Sequence, residues 1–421
     1  MQATAEFSPV VLLPTYNNAG TLIDVLDRVE ALSLPMIVIN DGATDDTPKL
    51  LAEWKRRPRS AGATVLTHSQ NRGKGAAMKT GFAAARAAGH THAVTMDTDG
   101  QLDPEQIPIL LEAAKRSPDA LVLGVRPGPV EGCPKANRVG QVLSNAALWL
   151  ECGLSVTDSQ CGLRVYPIEI PTILRPRPDR FGFEAEIITR AAWAGYPIVE
   201  VPVHCRYFPD DERVSHFSPL RDGARGFFMQ AKLTLRRLVP LPHHGRRRST
   251  PDPNGARSSP VKRLWTWFSP ARLFGQIRGS RFEQLIAGIG VGIGAFVAST
   301  PLLPLQPLVA LYMAKRLHLH PLTVLVGGLA LVRPINSILT ITSITIGHQI
   351  IHQLWVPFSE CDPARIGYWE VLVRYPLEWT LGGLILGTIL MWLILVAMHF
   401  ALRLVPVATT DRDKLNEPGS A

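Results

Sequence analysis

The chain has 421 residues, of which 46% are hydrophobic, so it can build cores for two or three domains of ordinary size. Its formal net charge of +9 at pH 7 suits nucleic acid or an anionic membrane surface, and the positions of the basic residues must decide between them. The five cysteines show neither a C-x-x-C pair nor the pattern of a secreted disulfide framework, which fits a reducing compartment.

The N-terminal segment has no basic stretch followed by an apolar run, so we expect no signal peptide and a cytosolic first domain. Short apolar runs then alternate with helical patterns. The runs predict strands at 9–13, 36–39, 64–66, 93–96 and 120–123. Helices are predicted from Thr21, in a capping box, and from Thr47 as N-cap with Pro48 in the first helical position. This alternation predicts an α/β fold with a mostly parallel sheet.

Polar segments follow four of these strands, at 14–18, 40–47, 71–77 and 97–104. Ligands of open parallel sheets bind beyond the carboxyl ends of the strands. An aromatic ring with a carboxylate can recognise a base, and a glycine-rich loop lets backbone N–H groups approach phosphate, whose charge Arg72 or Lys74 can neutralise. The glycine-rich segment matches neither a Walker P-loop nor a dinucleotide fingerprint.

Three oxygen-bearing side chains follow the fourth predicted strand: Asp97, Asp99 and Gln101. Carboxylates so close together repel one another unless a cation lies between them, and Mg²⁺ or Mn²⁺ suits such ligands when phosphate oxygens complete the shell. The expected ligand is a nucleoside diphosphate. An isolated Asp-x-Asp also occurs in solvated turns, so the neighbouring segments carry the interpretation.

Taken in order, the four segments resemble the family 2 glycosyltransferases with a GT-A fold. Within that family they are similar to dolichyl-phosphate mannose synthase and the bacterial polyprenyl-phosphate glycosyltransferases. The likeness rests on residues 13–17, 40–45, 71–77 and 96–104 and continues to about residue 235. It implies an α/β GT-A-type fold with a mostly parallel sheet, helices on both faces, and a nucleotide-sugar donor carrying UDP or GDP.

The resemblance also implies roles for individual residues. The nucleotide would be bound by Pro14, Tyr16, Asn18, Asp41, Gly73, Lys74 and Asp97, and the metal by Asp97, Asp99 and Gln101. The catalytic set would be Asp158, Asp99, Arg126 and Arg138, with the two arginines on the sugar phosphate or acceptor phosphate. Asn18 and Asn40 depart from the family, which usually has glutamate and aspartate at these positions.

The acceptor side is expected from residues 158–204. Asp158 opens a segment that resembles the family's Asp-x-x-x-Gly-Phe-Arg, and residues 181–187 resemble its glutamate-bearing helix start. Glu184 and Glu186 either have a functional role or supply helix N-terminal charge. A phosphate monoester is largely ionised at neutral pH, so a polyprenyl phosphate needs positioning more than a general base. Asp158 would then orient the acceptor or stabilise positive charge at the anomeric carbon.

Basic and aromatic residues interleave from residue 221 to 237 and again from 261 to 278, on either side of a linker rich in proline and glycine. Trp265, Trp267, Phe268 and Phe274 among cations predict a helix in the headgroup layer of an anionic membrane. The apolar segments that follow exclude the nucleic-acid alternative.

Three apolar segments, 285–314, 322–346 and 380–402, are long enough to cross a bilayer. Pro301, Pro304 and Pro307 make the first a hairpin or broken helix, in which Gly288, Gly290, Gly292 and Gly294 allow close helix contact. A soluble apolar core is the alternative. This tail resembles a small proline-rich bacterial membrane domain of unknown function, through Pro301, Gln306, Pro307 and the segment 333–336.

The expected organisation is a catalytic domain at 1–238, a basic linker and interfacial segment at 239–281, a helical membrane domain at 282–405 and a polar tail at 406–421. The leading hypothesis is a metal-dependent inverting glycosyltransferase that acts on a lipid-linked acceptor at the cytosolic face of the inner membrane. It is multi-pass, and homo-oligomers through the membrane domain are left open. The alternatives are a polysaccharide or secondary-metabolite lipid acceptor, and a non-catalytic nucleotide-binding regulator or lipid-carrier transport protein.

Overall fold

The computed structural model describes residues 6–57, 62–126, 135–180, 182–206, 219–239, 266–302, 305–328 and 335–403. The chain divides into two units, Met1–Asp252 and Pro253–Ala421, and each is described by itself. The predicted domain boundaries stay predictions. Several residues used in the sequence analysis lie outside the described ranges: Cys133, Phe181, Trp265, Pro304, Arg333 and Pro334.

The first unit contains a seven-stranded sheet. Its strands are β1 (Pro9–Thr15), β2 (Met36–Asn40), β3 (Thr64–Thr67), β4 (His92–Thr95), β5 (Leu121–Val125), β6 (Arg164–Pro167) and β7 (Ile198–Pro202). Their order is β3-β2-β1-β4-β6-β5-β7. Only β6 runs antiparallel to its neighbours, β4 and β5. The prediction of a mostly parallel sheet is confirmed.

Helices cover both faces of this sheet. They are α1 (Leu22–Ala31), α2 (Thr47–Lys55), α3 (Lys74–Ala87), α4 (Ile107–Arg116), α5 (Lys135–Cys152), α6 (Glu169–Leu174), α7 (Gly182–Ala194) and α8 (Pro219–Leu238). Alternate residues of β1 enter two separate cores: Val10 and Leu12 pack with α3 and α7, whereas Val11 and Leu13 pack with α1, α2 and α4. Because strand side chains alternate between faces, the apolar run of β1 supplies both cores.

Two predicted helix starts are wrong in detail. Thr21 precedes α1 but makes no side-chain cap, because its hydroxyl donates to the carbonyl of Thr98 at 2.6 Å instead. Thr47 is the first helical residue of α2 and Asp46 stands at the N-cap position. The carboxylate of Asp45 accepts the Thr47 N–H at 2.9 Å, so an aspartate side chain, and not the Thr47 hydroxyl, makes the hydrogen bond at the start of α2.

The second unit is helical over its described residues. Its helices are α9 (Pro270–Arg278), α10 (Arg281–Ala298), α11 (Gln306–Arg316), α12 (Pro321–Gly327), α13 (Ile335–His352), α14 (Phe358–Cys361), α15 (Pro363–Ile366), α16 (Tyr368–Arg374) and α17 (Pro376–Arg403). Within the described residues, α10 and the Pro376–Met398 part of α17 have the length and hydropathy to cross a bilayer, and α10 is mostly buried in the unit. Two such helices are weak support for a membrane domain.

The predicted break in the first apolar segment is confirmed, since α10 ends at Ala298 and α11 begins at Gln306. The side-chain amide of Gln306, which is fully buried, donates to the carbonyls of Ala298 and Thr300 at 3.2 and 2.6 Å. It thereby satisfies acceptors left open at the end of α10. The apolar segment predicted at 322–346 contains most of α12, which ends at Gly327, and the first part of α13, which begins at Ile335; residues 329–334 between them lie outside the described ranges, and a membrane crossing here stays a prediction.

The glycines of α10 lie at helix contacts inside this unit. A Cβ at Gly292 would come within 2.7 Å of Met391 Cγ on α17, and a Cβ at Gly294 within 2.0 Å of the Val324 carbonyl oxygen on α12. Glycine is therefore required for both helices to approach α10 so closely. The predicted close contact is confirmed within one chain, whereas association of several chains stays a prediction.

Candidate active site

The carboxyl ends of β1, β2 and β3 lie side by side, because Thr15 pairs with Asn40 and Asn40 with Thr67 in the sheet register. Two of the polar segments consequently touch. The side-chain oxygen of Asn17 accepts the N–H of Thr44 at 2.8 Å, and Asp45 accepts the N–H of Ala19 at 3.1 Å. The structure thus brings together the first two segments that sequence analysis assigned to the nucleotide.

Asn18 links the first segment to the aspartate-bearing segment. Its amide donates to the Thr98 hydroxyl at 2.8 Å, and the side chain is buried. Pro14 is buried in β1 and Tyr16 is half-buried beyond its end. The asparagine that departs from the family pattern therefore holds Thr98, between the two aspartates, against the end of β1.

Asp41 lies at the end of β2 and is almost completely buried. Its carboxylate accepts the backbone N–H groups of Arg72 and Gly73 at 3.0 and 2.7 Å, and the Nδ1 atom of His68 lies 2.6 Å away. Asp41 therefore fixes the glycine-rich segment to the sheet. Gly73 has φ of +99°, a conformation that favours glycine.

Lys74 begins α3 and forms two ion pairs, one with a residue expected at the metal. Its Nζ lies 2.6 Å from Asp97 Oδ1 and 3.0 Å from Glu184 Oε1. Burial lowers the pKa of Lys74, but the charges of Asp97 and Glu184 outweigh it and leave the pKa above its usual value. The amine is thus a fixed cation between β4 and α7.

Asp99 and Gln101 form a short turn after Asp97. Asp99 Oδ1 accepts the N–H of Gln101 at 3.0 Å, and the Gln101 carbonyl accepts the N–H of Arg206 at 2.8 Å. Burial raises the pKa of the Cys205 thiol, while the nearby Arg126 lowers it and Asp99 raises it. The backbone of Cys205 forms an antiparallel bridge with Leu102, directly after the aspartate turn.

Arg126 and Asp158 form a two-point ion pair at the end of β5. Arg126 Nε lies 2.5 Å from Asp158 Oδ2, and Nη2 lies 3.0 Å from Oδ1. Asp158 is 1% exposed and also accepts the N–H of Gln160 at 3.0 Å. Arg138 is exposed on α5. The geometry brings Arg126 to Asp158, and it makes Asp158 an anchor for the guanidinium.

No group of three or more histidine, cysteine, aspartate or glutamate side chains within the described ranges is arranged to hold a metal ion. Asp97 and Asp99 still fit a hard cation, because Mg²⁺ is commonly bound by one or two carboxylates together with substrate phosphates. A cation at this turn would therefore be held jointly by protein and diphosphate.

The family model for glycosyl transferase family 2 matches residues 10–170, which hold β1 to β6 and most of these side chains. The chain carries a glycosyl transferase family 2 domain. The protein is accordingly a glycosyltransferase, as the four sequence segments predict.

This chain covers at least three quarters of the length of three curated relatives. A UDP-N-acetylglucosamine--dolichyl-phosphate N-acetylglucosaminyltransferase of Methanococcus voltae is 27% identical over 213 residues, covering 47% of this chain and 85% of the relative. An undecaprenyl-phosphate mannosyltransferase of Micrococcus luteus is 29% identical, covering 46% and 82%. A polyprenol monophosphomannose synthase of Mycolicibacterium smegmatis is 29% identical, covering 46% and 76%. Each of the three matches covers less than half of this chain.

Sequence analysis left open whether Glu184 and Glu186 of α7 have a functional role or supply helix N-terminal charge. The structure gives the two side chains different partners. Glu184 reaches Lys74, whereas Glu186 pairs with Arg190 one turn further along the same helix. Sequence analysis missed His68 and Gly162. A Cβ at Gly162 would come within 2.3 Å of Asp97 Oδ2, so this glycine lets the chain pass directly against the aspartate. The glycine in the segment 158–164 was the available signal for that contact.

Proposed function

We propose that this glycosyltransferase moves a sugar from a nucleotide-sugar donor, carrying UDP or GDP, to a polyprenyl phosphate at the cytosolic face of a membrane. The observation that carries the proposal is a pair of charged clusters in the glycosyltransferase domain, Lys74 with Asp97 and Glu184, and Arg126 with Asp158. The names of the three relatives support a polyprenyl phosphate acceptor, because each names a dolichyl, undecaprenyl or polyprenol compound.

The donor diphosphate would bind beside the glycine-rich segment. Pro14, Tyr16 and Asn18 would shape the pocket for the base and ribose, and Lys74 and the backbone around Gly73 would face the phosphates. Asp97, Asp99 and Gln101 would hold Mg²⁺ or Mn²⁺ together with the diphosphate. The bound ion would neutralise charge on the departing nucleoside diphosphate.

The acceptor phosphate would bind at Arg126, with Arg138 as a second cation on the acceptor path. In the reaction, the bond from the anomeric carbon to the diphosphate oxygen breaks and its electron pair leaves with the nucleoside diphosphate. An oxygen of the acceptor phosphate forms the new bond to that carbon from the opposite face, which inverts its configuration. The acceptor is already ionised near neutral pH, so Asp158 is assigned to orienting Arg126 and not to proton removal.

Two exposed apolar surfaces support a membrane location. On α8, Phe227 and Phe228 are each 70% exposed beside the basic Arg225 and Lys232, a composition typical of helices in the headgroup layer. On α17, Trp392 is 62% exposed in a helix long and apolar enough to cross a bilayer. Multi-pass insertion into the inner membrane is part of the proposal.

The test uses the purified full-length protein in detergent. It is incubated with UDP- and GDP-sugars, Mg²⁺ or Mn²⁺ and polyprenyl phosphate, and release of nucleoside diphosphate is measured together with the glycolipid product. We expect release that depends on the lipid, and a roughly 100-fold slower rate in Arg126→Ala, since a lost anion-stabilising donor has about this effect. The exposed Arg116→Ala, at the end of α4, is the matched control.

Release with a polysaccharide acceptor and none with the lipid would replace the proposed acceptor. Absence of release with every donor and acceptor would overturn the catalytic assignment and favour a nucleotide-binding regulator.

A further inference from the structure

His68 is a buried polar side chain that the proposed chemistry does not use. It follows β3, and its ring lies between two elements: Nδ1 is 2.6 Å from Asp41 Oδ1, and Nε2 is 2.9 Å from the Thr80 hydroxyl on α3. The His68 and Asp41 side chains are only 7% and 4% exposed. An ionised carboxylate accepts hydrogen bonds only, so Nδ1 carries the proton and donates to Asp41.

The Asp41 carboxylate connects His68 to the glycine-rich segment. It accepts two backbone N–H groups there, from Arg72 and Gly73. Its oxygens thus face three donors: the ring of His68, directly after β3, and two backbone N–H groups of the segment that leads into α3. Arg72 donates to one carboxylate oxygen and Gly73 to the other, and the imidazole of His68 adds a third hydrogen bond, to the same oxygen as Arg72; the three together hold the rotation of the carboxylate.

The segment that Asp41 holds leads directly into Lys74. On its other side the backbone packs against residues 178–180, where the carbonyl of Asp179 accepts the N–H of Ala76 at 2.9 Å. A Cβ at Gly73 would lie 2.5 Å from that carbonyl oxygen. Lys74 therefore follows a segment that Asp41 holds on one side and the backbone of residues 178–180 holds on the other. From this position its amine contacts Asp97.

We propose that His68 is a positioning residue for donor binding: through Asp41 it holds the glycine-rich segment in the conformation that presents Lys74 to the diphosphate. This inference rests on the proposed function. Sequence analysis expected Asp41 to bind the nucleotide. Under this inference Asp41 acts on the nucleotide indirectly, because its carboxylate holds the glycine-rich segment.

The test compares two replacements of His68 in the full-length protein in detergent. His68→Asn keeps an N–H donor near the position of Nδ1, whereas His68→Leu removes both hydrogen bonds at similar volume. Thr80→Val is the control that removes only the Nε2 partner. Hydrogen exchange of the backbone amides at 72–76 is measured, with binding of UDP and GDP in Mg²⁺ by calorimetry and turnover at saturating donor.

In His68→Leu we expect faster exchange at 72–76 and about tenfold weaker nucleotide binding, the equivalent of one lost charge-assisted hydrogen bond, with turnover at saturating donor changed less than affinity. His68→Asn should restore both readouts, and Thr80→Val should resemble the wild type. Unchanged exchange in His68→Leu, or equal losses in the Asn and Leu variants, would overturn the inference. If the wild-type protein binds neither nucleotide, the proposed function fails, and the exchange measurement still decides whether His68 holds the segment.

Discussion

Asp158 and Arg126 face each other as a buried carboxylate and a guanidinium, joined by contacts of 2.5 and 3.0 Å. Both oxygens of Asp158 are engaged, because Gln160 donates its N–H to the same carboxylate. Such a pair resembles a guanidinium held in place for an anion more than a base awaiting a proton. The contribution of Asp158 to the rate would then pass through Arg126.

Asp158→Asn should lower turnover much more than donor affinity. The amide keeps the volume but loses one acceptor and the charge that orients Arg126, so we expect a rate loss of roughly 10- to 100-fold from a charged hydrogen bond worth about 1.5–3 kcal/mol. Steady-state rates beside donor calorimetry measure this, with the exposed Glu112→Gln as control. A large loss of donor affinity at unchanged saturated turnover would remove Asp158 from the catalytic side.

Asp99→Ala should abolish turnover and metal-dependent donor binding without unfolding the domain. The change removes an oxygen ligand and the charge that holds the cation of the diphosphate. Calorimetry of UDP or GDP with and without Mn²⁺ measures it, and circular dichroism checks the fold. Asp46→Ala, at an exposed position before α2, is the control. Wild-type transfer by Asp99→Ala without added metal would contradict the proposed metal dependence.

Lys74→Met should weaken binding of nucleoside diphosphate and also lower the melting temperature. The melting temperature should fall because Asp97 and Glu184 lose a cation that lies within 3.0 Å of both. Buried charges without partners are destabilising. Adding Glu184→Gln should recover part of the stability but none of the affinity. Lys79→Met, on the same helix, is the control. Recovery of affinity in the double variant would show that Lys74 acts on the nucleotide only through the fold.

Glu151 should make stability depend on pH. It is fully buried at the junction of α5 and α7, and burial raises its pKa from 4.5 to about 8, with the Thr189 hydroxyl opposing the shift. The pKa of Glu151 is higher in the folded state than in the unfolded chain. The free energy of unfolding therefore has its full value below pH 4.5, where the buried side chain is neutral, and it falls as the pH rises toward 8. Glu151→Gln should therefore unfold at higher temperature than wild type near pH 8 and show little difference near pH 4.5.

Thermal unfolding at both pH values measures the Glu151 effect, and we expect a gain of up to about 4 kcal/mol near pH 8, since each pKa unit between 4.5 and about 8 corresponds to about 1.4 kcal/mol. The exposed Glu53→Gln should leave the pH dependence unchanged. Equal melting temperatures of Glu151→Gln and wild type at both pH values would contradict the assignment.

The packing of α10, α13 and α17 in the second unit predicts how these helices would be oriented in a membrane. Gly288 and Gly383 lie against Met398 and Ser299, so α10 and α17 run antiparallel. Gly347 and Gly382 lie against Glu378 and Ser343, so α13 and α17 are antiparallel as well. The start of α10 and the end of α17 then lie on one side of the membrane. Arginines and lysines before α10 and after α17 favour the cytosol for that side.

Reporter fusions test this arrangement. We expect cytosolic signals at residue 315 and at the C-terminus, and an external signal in the 355–375 segment. Residue 315 is assigned to the cytosolic side because Trp267, ahead of α9, contacts the Leu319 carbonyl that follows α11. An external C-terminus would mean an odd number of crossings and would contradict the antiparallel pairing in the membrane.

The sequence by itself determined the features that depend on neighbouring residues. Strand periodicity and the polar residues after each apolar run predicted β1 to β5 and the segments at their ends, because alternation and turn chemistry are local properties. The order of these segments was enough to predict the glycosyltransferase family. Prolines between two apolar runs predicted the break between α10 and α11 for the same reason.

The tertiary structure alone decided which partners meet. Strand β6 is short, enters the sheet antiparallel and separates β4 from β5, a pairing set by distant residues and absent from any local pattern. The same holds for Lys74, which could have faced solvent or phosphate but lies between Asp97 and Glu184. An ion pair depends on the positions of several chain segments at once, and those positions follow from the burial of two cores on opposite faces of the sheet.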